Sequence, residues 1–292
     1  MIILLLGKNG QIGWELQRTL PTLGQVVALG RDRLDLADAI ALRRTVREVR
    51  PDIIVNAAAY TAVDRAEEEA ALAMAVNGIA PGILAEEAAR LKALLVHYST
   101  DYVFDGTGTA PYREEDRPNP LNVYGRSKLA GEEAIRASGA PHLIFRTSWV
   151  YGLRGKNFLL TMLRLAREQE ELRIVNDQVG TPNWCGMAAE VTTMVLREYR
   201  AREDSSLAGT YHLSAEGKAS WYDFARAILS ADPRKEEQVC RRIIPIATAQ
   251  YPTPARRPLY SVLDNRKIKS TFNLKMERWD RYLEQLLQPA RE

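Results

Sequence analysis

A chain of 292 residues and 32.9 kDa, 46% hydrophobic and 26% charged, carries enough apolar material for one large core or two smaller ones, which excludes an intrinsically disordered protein. Its 40 Lys and Arg against 37 Asp and Glu leave a net charge of only +3, so the pI of 8.8 is no argument for nucleic acid, which needs a clustered basic face. Cys185 and Cys240 belong to no CxxC or Cys/His cluster, which argues against a disulfide scaffold or structural zinc and for a reducing compartment.

The first predicted element is a buried strand over Ile2–Leu6. This apolar opening is too short for a signal peptide or a membrane span, so a soluble, cytoplasmic protein with no membrane partner is expected. A helix follows from Gln11 to just before Pro21, then a strand at Gln25–Leu29, a helix from Asp38 to Val49 and a strand at Asp52–Val55. A long Ala/Glu-rich helix over Ala70–Arg90 leads to a strand at Ala93–Ser99, a helix at Val123–Ala137 and a strand at His142–Thr147. Short continuous apolar strands alternating with helices imply a parallel sheet covered on both faces. The right-handed crossover rule makes it a doubly wound α/β sheet of Rossmann type.

Beyond about residue 150 the rhythm loosens. Helical patterns at Asn157–Arg167, Gly186–Arg200 and Trp221–Ser230 are separated by Pro- and Asn-rich loops and by short apolar runs at Tyr211–Leu213 and Arg242–Ile246. The expected organisation is a cofactor-binding and catalytic domain over 1–150 and a smaller mixed α/β substrate lobe over 151–292, with chain exchange between them allowed.

Gly7-Lys8-Asn9-Gly10-Gln11-Ile12-Gly13 joins the first strand to the first helix with the spacing GxxGxxG. Each glycine has a task there: Gly7 the tight turn, Gly10 close approach to a diphosphate, Gly13 close packing of helix on strand. The exposed N–H groups and the positive end of the helix suit phosphate. The second strand ends Leu29-Gly30-Arg31 rather than in an acidic residue, so Arg31 is expected to meet a 2′-phosphate, with Asp35 and Leu36 bordering the adenine. NADPH is therefore the expected cofactor, with NADH as an alternative. The small residues Ala57, Ala58 and Ala59, after the third strand, would let a flat ring or a ribose approach the backbone.

Tyr124 and Lys128 stand four residues apart on one face of a predicted helix. A lysine ammonium close to a tyrosine favours the phenolate, and a tyrosine tuned in this way can protonate a carbonyl oxygen as hydride reaches the carbon. Thr100, in His97-Tyr98-Ser99-Thr100-Asp101-Tyr102 at the end of the fourth strand, is the expected third member, hydrogen-bonding the substrate carbonyl.

With these motifs in order, the chain resembles the extended short-chain dehydrogenases/reductases, and within them the nucleotide-sugar 4-ketoreductases of dTDP-L-rhamnose synthesis. The resemblance rests on GKNGQIG, NAAAYTAVDRAE, HYSTDYVFDG, NPLNVYGRSKLAGE, FRTSWVYG, NDQVGTP and YPTPARRP, which run from residue 7 to residue 258. It implies reduction of dTDP-4-dehydro-6-deoxy-L-mannose at C4 by the trio Thr100, Tyr124 and Lys128. The cofactor contacts it implies are Gly7, Gly10, Gln11, Ile12, Asp35, Leu36, Ala57, Ala58, Ala59 and Lys128, the last holding the nicotinamide ribose. Trp149 would line the sugar pocket beside Asp101 and Tyr102, and Asn157, Gln178 and Arg257 would face the sugar diphosphate. Two alternatives share the motifs: a reductase or epimerase of another nucleotide sugar, and a non-catalytic regulatory subunit of the same fold.

Asn183 in Gly180-Thr181-Pro182-Asn183 departs from the hydroxyl residue found there in many relatives, which is expected to alter the pocket contacts. Some members form dimers through acidic residues and magnesium. Glu15 and Glu190 match two such positions, so the resemblance admits Mg2+ and a homodimer.

Overall fold

The strand Ile2–Leu6 (β1) is apolar throughout because it has no wet face. Ile3 and Leu5 point into one core and Leu4 and Leu6 into another, and all four are at most 1% exposed. The computed structural model describes residues 1–202 and 204–288, so the last four residues of the lobe expected over 151–292 lie outside it. Around β1 the sheet continues with Gln25–Leu29 (β2), Ile53–Asn56 (β3), Leu94–Thr100 (β4), His142–Thr147 (β5) and a sixth strand, Gly209–His212. The spatial order is β2, β1, β3, β4, β5 and then Gly209–His212, with every neighbour parallel. This is the doubly wound α/β sheet expected from the strand–helix alternation. Its order reverses between β1 and β3, and ligands of such sheets bind in the crevice outside that point.

The helices are α1 (Gln11–Thr19), α2 (Ala39–Val49), α3 (Ala70–Met74), α4 (Ala80–Leu91), α5 (Val123–Ala137), α6 (Phe158–Glu168), α7 (Cys185–Arg202) and α8 (Trp221–Ala231), followed by two short helices at Arg266–Phe272 and Trp279–Leu287. α1 and α7 cover one face of the sheet and α2, α4 and α5 the other. The second half of the chain builds small sheets of its own, the largest pairing Glu171–Val175 with Arg242–Ile246 in parallel. It also supplies Gly209–His212 to the main sheet, and α7 packs on α1. No described helix is long and apolar enough to cross a membrane.

The long helix expected over Ala70–Arg90 is broken by a π-helical turn at Ala75–Ile79. Pro81 has no N–H to offer the Asn77 carbonyl four residues earlier, so the regular ladder fails there. The Asn77 side chain holds the loop after β3, accepting from Tyr60 N–H and donating to Tyr60 O, both at 2.9 Å. Gly131 of α5 rides directly over the freed Asn77 carbonyl, where a Cβ would sit only 2.2 Å from the oxygen. This contact sets how closely α5, the helix bearing Tyr124 and Lys128, approaches its neighbour.

α5 is further tied to β5 by a buried ion pair. Glu132 and Arg146, 0% and 2% exposed, make two hydrogen bonds of 2.7 and 2.9 Å. Ser99 donates to the same carboxylate at 2.5 Å and Arg136 at 3.1 Å. Burial alone would raise the Glu132 carboxyl, but Arg146, Ser99 and Arg136 together hold it below its ordinary value. Glu132→Gln strands the Arg146 charge and is expected to cost about 3–5 kcal/mol in urea denaturation, whereas the double replacement Glu132→Leu/Arg146→Met should cost much less.

Candidate active site

The first glycine of GxxGxxG takes a left-handed φ of 85°, and its N–H and that of Lys8 donate to the Leu29 carbonyl at the end of β2. A Cβ on Gly7 would lie 2.6 Å from the Ala58 nitrogen, and one on Gly13 would lie 2.0 Å from the Gly7 oxygen. The turn thus lets α1 and the segment after β3 close on the tip of β1, which no larger residue permits. Gly10 caps α1 without any side-chain hydrogen bond, and no acidic residue stands in its first turn, so the positive end of the helix faces the crevice. Gln11 and Ile12 begin α1, with the Ile12 side chain packed in the core, and the Ala57–Ala58 backbone lies against Gly7.

At the tip of β2, Arg31 is highly exposed and pairs with Asp35 at 3.3 Å. The two residues expected at the adenosine end are therefore already in contact. Leu36, by contrast, is 7% exposed and packs in the core with Leu34 and Leu42.

Thr100 is the last residue of β4 and Tyr124 lies in the first turn of α5. The Thr100 hydroxyl accepts from Tyr102 N–H and donates to Asp101 Oδ1, both at 3.1 Å, and it also contacts the Tyr124 phenol. Burial pushes Tyr124 up to about 12, with Thr100 opposing and Asp101 reinforcing the rise. Lysine is not what sets this phenol: Lys128 Nζ is turned to the Tyr98 carbonyl at 2.5 Å and to His97 Nε2 at 3.2 Å. Lys128, 1% exposed, is itself lowered to about 8 by burial, with Glu132 pulling the other way. Asp101, 2% exposed, is raised to about 7 by burial against hydrogen bonds from Ser261 and Thr100, and its Oδ2 makes no hydrogen bond among the described residues. The Tyr102 ring meets Tyr124 edge-on, 5.8 Å between centroids.

Trp149 stands on the second-half side of the cleft with a φ of 45°, a strained setting for a bulky residue that costs on the order of 1–3 kcal/mol. A face-to-face stack on Trp221 at 3.5 Å and the bare face of Gly180, where a Cβ would meet the indole at 2.7 Å, hold it there. Gln178 accepts from Trp221 Nε1 and donates to Thr248. Trp221 thus supports both the expected pocket aromatic and Gln178, and it carries no motif that sequence reading could have recognised.

Three polar residues expected at the pocket are engaged by the protein itself. Asn157 caps α6 by accepting from Leu160 N–H, and its amide nitrogen donates to Gln11, Gly152 and Arg154. Arg257 forms a fork on Asp64 at 2.8 and 3.0 Å, and Asp64 also accepts from Ala255 N–H. Asp64 lies inside the NAAAYTAVDRAE stretch, but only the fold reveals its partner. Asn183 is 0% exposed and bonds to Ser148, Thr181 and the Ala215 N–H. It is a buried cross-link between loops rather than a changed pocket contact.

Glu15 and Glu190 face each other across α1 and α7. Desolvation and the Glu15 charge raise the Glu190 carboxyl, while Arg18, bonded to Glu15, opposes the rise. Among the described residues no group of three His, Cys, Asp or Glu is placed to hold a metal. The expected Mg2+ finds no support among the described residues and is not carried further.

The RmlD substrate binding domain family matches residues 1–292. The chain is 50% identical over 286 residues to a dTDP-4-dehydrorhamnose reductase of Burkholderia thailandensis, covering 96% of this chain and 95% of that one. Among solved structures it is similar to a dTDP-4-dehydrorhamnose reductase of Clostridium acetobutylicum, with a TM-score of 0.90, 37% identity and 98% of each chain covered. It is also similar to the Bacillus anthracis dTDP-4-dehydrorhamnose reductase in complex with NADP, with a TM-score of 0.87, 35% identity and 98% of each chain covered.

Asp64 fastens the segment bearing Ala255 and Arg257 to the loop after β3, so Asp64→Ala is expected to speed hydrogen exchange at the Ala255 amide by about tenfold while amides of β1 and β3 stay protected.

Proposed function

The chain belongs to the RmlD substrate binding domain family, and from that premise we propose that it is an NAD(P)H-dependent oxidoreductase reducing the C4 keto group of dTDP-4-dehydro-6-deoxy-L-mannose to give dTDP-L-rhamnose. The observation that carries this reading is the placement of Tyr124, in the first turn of α5, with Thr100 at the tip of β4, beside the point where the strand order reverses.

The crevice suits a dinucleotide. A Cβ on Gly7 would strike the Ala57–Ala58 backbone and one on Gly13 would strike the Gly7 carbonyl, and the uncapped start of α1 presents N–H groups to a diphosphate. Gly7, Gly10, Gln11, Ile12 and Gly13 would hold that diphosphate, with Ala57, Ala58 and Ala59 backing the ring and ribose. Arg31 would leave Asp35 to meet a 2′-phosphate, and Asp35 alone would meet a 2′-hydroxyl, so the pair would admit either NADPH or NADH. Bound there, the reduced nicotinamide supplies the hydride for C4.

Every other part of the reaction falls to the protein. Thr100 Oγ would hold the C4 carbonyl oxygen and Tyr124 Oη would give it a proton. Tyr124 holds its proton at neutral pH, as any phenol does, and desolvation, which pushes it up to about 12, works against its release until the alkoxide forms as hydride reaches C4. Lys128, turned to His97 and the Tyr98 carbonyl, would hold the nicotinamide ribose. Asp101, Tyr102 and Trp149 would line the sugar. Arg257, presented as a fork by Asp64, would face the diphosphate together with Gln178, while Asn157 would act through Gln11 and the cap of α6.

Following NADPH oxidation with dTDP-4-dehydrorhamnose tests this assignment. Tyr124→Phe is expected to lower kcat by about 10²–10⁴-fold with NADPH affinity retained. Tight NADPH binding by the wild type without any turnover would favour a regulatory subunit instead. Arg31→Ala is expected to weaken NADPH about tenfold and leave NADH nearly unchanged, and equal losses for both would remove Arg31 from the 2′-phosphate site.

A further inference from the structure

β3 and β4 end side by side, and buried polar side chains run from their tips to Lys128. Asn56, His97 and Lys128 are 0%, 1% and 1% exposed. Ala58 N–H donates to Asn56 Oδ1 at 3.2 Å, Asn56 Nδ2 lies 3.2 Å from His97 Nδ1, and His97 Nε2 lies 3.2 Å from Lys128 Nζ. A direction is imposed from one end. A backbone N–H can only donate, so the Asn56 oxygen must face Ala58 and its NH2 must face the imidazole. His97 Nδ1 is then an acceptor, and a neutral ring carries its proton on Nε2. That N–H points at Lys128 Nζ, where only an uncharged amine has a lone pair to receive it.

We propose that Asn56 and His97 are positioning residues forming a one-way hydrogen-bond chain, anchored on the Ala58 amide, that orients Lys128 and works against its charged form. This rests on the reading of Lys128 as the group that would hold the nicotinamide ribose. The chain then links the backbone bordering the cofactor to the proton on that lysine, and a shift of the Ala58 amide is felt at Nζ. The surroundings agree. β3 presents only Asn56 to the ring, and β4 presents His97 and the Tyr98 carbonyl to Nζ. On α5, Glu132 favours the ammonium, but Arg146, Arg136 and Ser99 take up its oxygens. Tyr124, one turn earlier, is a neutral phenol at neutral pH. Burial keeps His97 neutral, and in the state in which Lys128 is an ammonium its charge opposes protonation of the ring as well.

Long-range ¹H–¹⁵N spectra of the full chain without cofactor read the tautomer directly, with His97 assigned as the resonance lost in His97→Gln. The expected form is neutral Nε2–H; a neutral Nδ1–H form in the wild type overturns the proposal even if no variant folds. Lysine labelled at ¹³Cε, with Lys128→Arg for assignment, follows the amine, expected to titrate near 8. In Asn56→Asp the carboxylate accepts from both Ala58 and the ring, so His97 should switch to Nδ1–H and Lys128 should titrate about one unit or more higher. An unchanged tautomer and an unchanged titration in that variant also overturn it. A merely structural His97 would alter the melting temperature alone. None of these readouts needs turnover, so failure of the reductase assignment and failure of the chain are separately visible.

Discussion

The close approach of three pieces of backbone at the tip of β1 is the constraint on which the cleft depends. β1 is buried on both faces, so nothing polar can be placed along it, and chemistry is confined to the strand ends. There the chain must leave β1, turn into α1 and admit the segment after β3 within van der Waals contact. Gly7, with its left-handed φ of 85°, and Gly13, against the Gly7 oxygen, are the residues that allow it. Because the strand order reverses at this point, the same crowding leaves a crevice between α1 and Ala57–Ala59.

The opposite problem is met one layer away, where charges lie inside the protein. Glu132 and Arg146 are buried as a fully bonded pair, which ties α5 to β5 and so fixes where Tyr124 and Lys128 stand against the tip of β4. The π turn forced by Pro81 and the bare surface of Gly131 bring the neighbouring helix in to match. Across the cleft, a strained Trp149 backbone is held by the stack on Trp221 and by Gly180. The two walls are therefore rigid for different reasons: one by buried charge, the other by aromatic packing.

Most of the sheet was legible because its code is local. Continuous apolar runs of strand length, separated by helical patterns, give five of the six strands to within a residue or two, from β1 through β5. The Tyr211–Leu213 run hinted at the sixth strand, but nothing local says that a segment so far along the chain pairs with β5. The break at Ala75–Ile79 was hidden in a strongly helical composition, although Pro81 was its visible cause. At the site, spacing singled out Gly7, Tyr124 and Lys128, while Asp64, Trp221, Asn56 and His97 went unnoticed. Their importance lies in partners that are distant in sequence or on another strand.

By itself the sequence determined the class of sheet, the glycine turn, and the presence of a tyrosine and a lysine on one helical face, because periodicity and conformational freedom are properties of short segments. Only the tertiary structure decided what those groups experience. It placed Tyr124 where desolvation, rather than Lys128, raises its proton affinity, and it turned Lys128 toward His97 and the Tyr98 carbonyl. It joined Arg257 to Asp64 and made Asn183 a core cross-link. Desolvation and hydrogen-bond direction depend on everything that surrounds a group, and that surrounding exists only once distant segments have packed together.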